Sequence, residues 1–402
     1  MIKTYHQDPR DPDFVQNPYS FYESVRESGP FFLWKDYEFL CSVEHKTVNA
    51  ILRDRRFGRE APEGFAPVHP EHVAPFYSLE KHSLLELEPP NHTRIRGLLV
   101  RAFTNRRIAE LEPQIEALAN DLVANFDNEE IDLLPAFCEK IPIIIIARLL
   151  GVPENMAHQM LAWSHDMVAM YQARRDRAIE DAAVQATQAF SAFIREYVDA
   201  RRNDPRDDLI TNLIAANDEG ERLSTDELVT TCILLLNAGH EATVHSFANC
   251  IRAVLLSGTP PKQTFSTPQK TIAMVEETLR FDPPLHMFTR YAMQNFSAFD
   301  HEFKAGDVVG LMLAGANRDP HKFADAGNLD TERGGIGNLS FGAGLHFCIG
   351  TPLAKLEMAV ALPILFARFP NIKLTEPTIY ADRYHFHGLK SLRVNLGVIN
   401  DG

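Results

Sequence analysis

The segment FGAGLHFCIG (Phe341–Gly350) runs directly into TPLAKLEMAVALPILFARF (Thr351–Phe369). The second stretch has the apolar spacing of an amphipathic helix, so Cys348 is expected where a glycine-rich loop enters a helix N-terminus. The free N–H groups and the positive dipole end there stabilise negative charge, and a thiol so placed is acidified toward thiolate. Gly342, Gly344 and Gly350 let the backbone turn tightly and approach something flat and bulky with no Cβ in the way. Three readings of Cys348 are open on this evidence. It is a metal or haem ligand, half of a zinc site with His346, or a small buried hydrophobe. Zinc normally needs four clustered ligands, and no second Cys or His pair lies nearby at zinc spacing.

Upstream, Ser224 and Glu227 form a capping box, and Leu223 can staple against Leu228. The next breakers are Ser257, Gly258 and Pro260, so one helix is expected over Thr225–Leu256. At 1.5 Å per residue it is roughly 48 Å long, enough to cross a whole domain. Its middle, CILLLNAGHEATV, is apolar nearly all round, as a buried helix is. Such a helix argues for one domain over residues 1–402. The expected fold class is mainly α with a small β portion (α+β). A helical body covers about 93–290 and 350–370, and β-rich portions cover about 31–57, 290–313 and 372–400. Strands are expected at Phe31–Trp34, Tyr37–Val43, within Arg290–Leu313, and around Ile372 and Ser391–Leu396. Gly and Pro make regular structure improbable from Asp325 to Gly350. The Pro- and His-rich stretch Phe57–Ser83 reads as a long mobile access loop.

Apolar residues make up 45% and charged residues 23% of the 402, the mix of a soluble globular protein. The net charge of −14 excludes a general attraction to nucleic-acid phosphate. The five cysteines, Cys41, Cys138, Cys232, Cys250 and Cys348, are widely spaced. They are expected to be reduced thiols in a cytoplasmic protein. The polar N-terminus MIKTYHQDPRDPDF carries no signal or anchor pattern. The most apolar run, Ile141–Leu150, is broken by Pro142 and Arg148 and falls far short of the roughly 20 residues that span a bilayer. It is expected to be a core helix.

The Phe341–Gly350 segment resembles the haem-binding loop of the cytochrome P450 family, and the resemblance extends over nearly the whole chain in the family's order. Glu277-Thr278-Leu279-Arg280 resembles its ExxR motif. Asn317-Arg318-Asp319-Pro320 and Arg333 resemble its meander, and AGHEATV (Ala238–Val244) its oxygen-activation segment. EPPNHTRIR (Glu88–Arg96) is similar to the helix that reaches the haem propionates. RRNDPRDDLITNLI (Arg201–Ile214) and FHGLKSLRV (Phe386–Val394) are similar to segments of soluble bacterial members. The resemblance implies a P450 fold with a long central helix over haem b, with the Cys348 thiolate as axial ligand.

It also implies roles for individual residues. Glu277 and Arg280 share a helix face. They read either as a surface ion pair of little value or, with Arg333, as the family's buried network that fixes the haem loop. His92 and Arg96, four apart on one face, are either two solvated polar residues or propionate ligands with Arg290 and His346. Phe341, Gly342 and Gly350 would line the haem, and Ala238 and Gly239 would leave room for dioxygen. Glu241 is either a buried acid paired to a neighbour or the acid of a proton relay. The following position, usually Thr in the family, is Ala242, whose methyl group neither donates nor accepts a hydrogen bond. Thr243 lies about 100° further round the helix. Ordered water, a substrate hydroxyl or Thr243 is expected to replace the missing alcohol.

Substrate contacts implied by resemblance are Leu84, Leu234, Asn237, Ala242, Leu285, His286, Met287, Phe288, Phe386 and His387, mostly apolar as in a hydrophobic pocket. Asn237, His286 and His387 read equally as core residues. Arg174-Arg175-Asp176-Arg177 reads as a solvated loop. Arg101, Arg106, Arg107 and Lys355 are candidates for docking an acidic electron donor.

The function implied is monooxygenation of a small-to-medium, mainly hydrophobic substrate, using dioxygen and two electrons from a ferredoxin and its reductase. No flavin or iron–sulfur domain is expected in 402 residues. No nucleic acid and no membrane anchor are expected. Ala242 keeps open a haem-thiolate enzyme for oxidative coupling, ring closure or peroxide-driven oxidation. A non-catalytic haem or ligand-binding module is the remaining alternative, and the intact Cys348 loop argues against a haem-free relative.

Overall fold

The computed structural model describes residues 2–172, 175–216, 222–334, 337–384 and 386–397. Arg174, in the basic cluster noted above, lies outside them. The chain divides into two compact units, one of residues 1–65, 115–139 and 242–402, the other of 66–114 and 140–241. One domain was expected from the central helix, and that helix contributes to both units. It runs from Thr225 to Leu256, as its breakers require. Its capping box is formed: Ser224 N donates to Glu227 Oε2 at 2.8 Å and Glu227 N to Ser224 Oγ at 3.2 Å.

The first unit carries the sheets. The largest has the order Lys3–Tyr5, Phe32–Trp34, Phe39–Ser42, Val308–Met312, Met287–Ala292, Phe57–Gly58. Met287–Ala292 pairs antiparallel with Val308–Met312, so Arg290 lies opposite Val309. A second sheet joins Lys373–Leu374, Arg393–Asn395 and Glu130–Asp132, and Phe296–Ala298 pairs with His301–Phe303. Two apolar cores flank the large sheet: one of Val48, Ile51, Phe303, Leu311 and Leu313, the other of Phe14, Tyr22, Trp34, Met287 and Met312. Helix Pro268–Phe281 packs on helix Thr351–Arg368.

The second unit is helical among its described residues. Helix Arg177–Asn203 packs on Ala157–Val168, with Trp163 against Phe190 and Phe193. The RRNDPRDDL motif has a local explanation here. Arg201 and Asp208 form a buried ion pair, Arg201 Nη2 donates to Gly151 O at 2.7 Å, and Asp208 caps helix Leu209–Ala215 through Thr211 N at 2.8 Å. A Cβ at Gly151, where φ is +81°, would strike the Asp208 side chain. Lys140–Leu150 is a buried helix with Pro142 tolerated in its first turn.

The stretch 57–83 departs from the expected loop. In the second unit it contains a 3-10 turn, Glu71–Val73, and a helix, Ala74–Glu80. Phe76 and Leu79, three residues apart, give that helix a buried face, and Pro75 sits in its first turn. No described helix is long and apolar enough to cross a membrane.

Candidate active site

In the first unit, Cys348 follows the 3-10 turn Gly344–His346 and precedes the helix Thr351–Arg368. Its N–H donates to Phe341 O at 3.0 Å, and its carbonyl accepts from Thr351 Oγ1 at 2.9 Å. These bonds close the loop and point it into the helix N-terminus. Two glycines are demanded by space and by positive φ. A Cβ at Gly344 would lie 2.3 Å from Leu52 O, and one at Gly342 would press on the Phe288 ring at 3.4 Å. A Cβ at Gly350 would stand 3.8 Å from Cys348 Sγ. Cys348 is exposed, whereas Cys41, Cys138, Cys232 and Cys250 are buried. Burial pushes the Cys232 and Cys250 thiols up to about 12. The accessible sulfur is therefore the one at a helix N-terminus, and the glycine at 350 leaves it uncrowded. That arrangement fits a thiolate ligand.

The loop is held from behind. Glu277 and Arg280 are fully buried and paired through two parallel bonds of 2.8 and 2.7 Å. The remaining guanidinium N–H groups reach the carbonyls of Asn317, Ala326 and Asn328, each at 2.9 Å. Glu277 Oε1 also accepts from Asp330 N at 2.8 Å and Arg333 Nε at 3.4 Å. Asn317 carries the restraint onward. Its Oδ1 accepts from Leu339 N at 2.6 Å and its Nδ2 donates to Ser340 Oγ at 2.8 Å. Ser340 in turn donates to Leu279 O at 2.5 Å. Asn317 was read within the meander resemblance without a role for its side chain, and Ser340 was not singled out; a polar residue immediately before the glycine loop was the available signal.

Arg290 is buried on its strand, donating to Thr289 O at 2.8 Å, and His346 is half-buried at the end of its turn. Lys355 lies 5.4 Å from the centre of the Phe341 ring and pairs with Glu276 at 2.5 Å. In the second unit Arg106 pairs with Glu110 at 3.0 Å and Arg107 with Asp207, while Arg101 is exposed. Lys355, Arg106 and Arg107, considered for donor docking, are thus already engaged by carboxylates.

Also in the second unit, His92 is buried and Arg96 half-buried on helix Asn91–Ala102, and Leu84 is buried. Glu241 is buried and pairs with His165 of helix Ala157–Val168, Nε2 to Oε1 at 3.0 Å. The ring of His240 lies 5.9 Å from that of His165. His165 was missed because nothing in its own helix marks it; its partner is 76 positions away. Asn237 Nδ2 approaches Met167 Sδ at 3.8 Å. Along the central helix Leu234, Asn237 and Ala242 are half-buried and Ala238 is exposed, a spacing that places them on one face of that helix. Gly239 is also half-buried, and a Cβ there would meet just Ile146, at 3.7 Å. Thr243 is buried, and Ser246 Oγ donates to Ala242 O at 2.8 Å.

The expected substrate residues of the first unit separate into two groups. Leu285 and Phe386 are half-buried and bridge antiparallel, and Phe288 is half-buried on its strand. Met287 alternates to the other face, into the core beside Trp34 and Tyr384. His286 and His387 are enclosed in a polar cluster. Tyr22 OH lies 2.9 Å from His286 Nδ1, His387 stacks on Tyr380, and Asp282 accepts the Tyr19 and Tyr380 hydroxyls at 2.9 and 2.5 Å. Asn249 of the central helix donates to the carbonyls of Asp282 and His387, both at 3.1 Å. A Cβ at Gly388 would strike the His245 ring, so FHG is packed against the helix. Burial, reinforced by neighbouring positive groups, holds both His286 and His387 well below the ordinary imidazole range.

A family model described as Cytochrome P450 matches residues 269–380. The putative cytochrome P450 YjiB of Bacillus subtilis is 31% identical over 94% of this chain and 94% of its own length. The vitamin D(3) 25-hydroxylase of Pseudonocardia autotrophica is 32% identical over 96% of this chain and 95% of its own. Among solved structures, the bacillaene polyketide synthase cytochrome P450 PksS of Bacillus subtilis superposes with a TM-score of 0.87 at 30% identity, covering 98% of this chain and all of that one. The chain belongs to the cytochrome P450 family. It is a monooxygenase whose cofactor is haem b with a cysteine thiolate as axial ligand, working with redox partners, dioxygen and an organic substrate. The non-catalytic reading is thereby set aside.

Removing one partner of the Glu277–Arg280 pair strands the other as a buried charge. Arg280→Ala is expected to cost about 3–5 kcal/mol in urea unfolding and to loosen the loop, read as loss of haem on gel filtration. Arg280→Lys cannot restore the parallel pair of bonds and is expected to recover little.

The buried neutral histidines make a second prediction. Their folded pKa values lie below the unfolded value, so their contribution to stability is full above about pH 6.5 and is lost as pH falls through it. Each adds up to about 1.4 kcal/mol per pH unit. Between pH 7.5 and 5.5 the urea midpoint should fall less in His387→Gln than in the native protein; equal slopes would contradict this account.

Proposed function

We propose that the protein hydroxylates, or otherwise monooxygenates, a mainly hydrophobic organic molecule of polyketide or steroid size, with electrons delivered by a ferredoxin and its reductase. The observation that carries the reading is the accessible Cys348 sulfur at the end of a loop pinned by the Glu277–Arg280 network. Two of the relatives above are named for a vitamin D hydroxylation and for polyketide biosynthesis, and their substrate classes set the size and polarity proposed here.

Bound haem supplies the activation of dioxygen, with the thiolate favouring O–O cleavage. The chain's own residues bind, orient and supply protons. Cys348 is assigned to the iron. Arg290, His346, His92 and Arg96 are assigned to the propionates, where guanidinium and carboxylate geometry match. Phe341, Gly342 and Gly350 are assigned to the haem on the loop side, and Ala238 and Gly239 to the space for dioxygen. Leu234, Asn237, Leu285, Phe288 and Phe386, none of them fully buried, are assigned to substrate contact. Glu241 is the acid that delivers protons. Ala242 offers no hydroxyl, so an ordered water or a substrate hydroxyl completes the relay.

Cys348→Ser is expected to abolish the thiolate-type absorption of the reduced, carbon-monoxide-treated protein while leaving the fold intact by circular dichroism. An unchanged band would overturn the ligand assignment. Glu241→Gln is expected to slow donor-driven turnover about a hundredfold, the low end for loss of a proton-transfer group, with substrate-induced Soret shifts retained. Ala242→Thr is expected to change product formed per electron consumed. A Soret-shift screen across polyketides, steroids and fatty acids tests the substrate class, and shifts confined to small aromatic acids would refute it.

A further inference from the structure

We propose that His165, His240 and Glu241 form a binding site for a borderline transition-metal dication such as Zn²⁺. One donor atom from each residue lies within 4.8 Å of the others, and all three belong to the second unit. Two imidazole nitrogens and one carboxylate oxygen are the donor set that zinc takes with a fourth position open to water. At metal–ligand distances of about 2.0–2.2 Å, tetrahedral donors stand about 3.3–3.5 Å apart. His165 Nε2 and Glu241 Oε1, at 3.0 Å, already approach that spacing. The His240 nitrogen, within 4.8 Å of both, needs to move at most about 1.5 Å to reach it.

Access separates this trio from the other histidine–carboxylate cluster of the molecule. Asp282, His286 and His387 also come within 4.8 Å of one another. Both Asp282 oxygens already accept tyrosine hydroxyls, and all three residues are buried, so a metal there would compete with those hydroxyls and has no ligand offered to it from solvent. The His165 side chain, by contrast, is 37% exposed and offers a metal its first ligand from solvent.

A metal bound here occupies the carboxylate of Glu241. Inhibition of donor-driven turnover then follows, a consequence that rests on the proton-delivery role proposed above; binding itself does not.

The test is calorimetric titration of zinc chloride into the haem-loaded, tag-free protein, with His158, exposed on the same helix as His165, as the control position. One tight equivalent is expected in the native protein and in His158→Gln, weakened at least tenfold in His165→Gln and in His240→Gln. His240 is buried, so if His240→Gln fails to hold haem the His165→Gln arm decides. Absence of a stoichiometric site in the native protein, or equal affinity in His165→Gln, overturns the proposal, as does weak binding at many sites. Turnover measured at saturating zinc separates the two readings: binding as expected with undiminished turnover upholds the site and removes Glu241 from proton delivery.

Discussion

The Glu277–Arg280 ion pair is the constraint on which the site depends. Burying two charges is expensive, and in isolation such a pair is a poor source of stability. Here every N–H of the guanidinium is used: two toward Glu277 and three toward carbonyls of residues 317, 326 and 328. One of those carbonyls ends the short helix Leu313–Asn317, and the other two, of Ala326 and Asn328, come from irregular chain without a strand ladder or helix to position it. The pair therefore acts as a scaffold that converts one helix turn into coordinates for a long loop. Asn317 transfers the restraint to Leu339 and Ser340, the residues that immediately precede the cysteine loop. The position of the sulfur is thus set by hydrogen bonds made on the far side of Ser340.

The elements with strong local signals were readable in the sequence. The capping box at Ser224 and the breakers after Leu256 bound the central helix at the residues observed, because both ends are determined by contacts within a few positions. Phe32–Trp34, Phe39–Ser42, Val308–Met312 and Arg393–Asn395 fall within the expected runs for the same reason of short-range alternation, whereas Lys3–Tyr5 and Glu130–Asp132 lie outside them, being three-residue strands too short to show a period of their own. Phe57–Ser83 misled because its Pro and His content suggests a loop, whereas two residues, Phe76 and Leu79, suffice to bury a short helix once a surface exists to receive them. Composition cannot register that surface.

Side-chain roles were less readable where they depend on distant partners. His286 immediately precedes the strand that Met287 opens, and no local rule says that the His286 ring meets Tyr22, 264 positions earlier, while the Met287 side chain enters the core beside Trp34. His387 likewise owes its surroundings to Asn249 and Tyr380. A histidine near the expected substrate segment is ambiguous until the tertiary structure supplies its neighbours. The same applies to His165, whose partnership with Glu241 arises solely from helix packing.

Ala242 concentrates the remaining chemistry on few groups. One turn along the same face, Ser246 has a hydroxyl, but it donates its proton to the Ala242 carbonyl, a back-bond of the kind short polar side chains make inside helices. That commits the donor that would otherwise compensate for the missing alcohol. Thr243 is buried about 100° away around the helix. Glu241 itself is buried and pairs with His165 of another helix. Under the proton-delivery role proposed above, the side chain paired with this acid stands on another helix, because the next position on its own helix, Ala242, offers no hydroxyl.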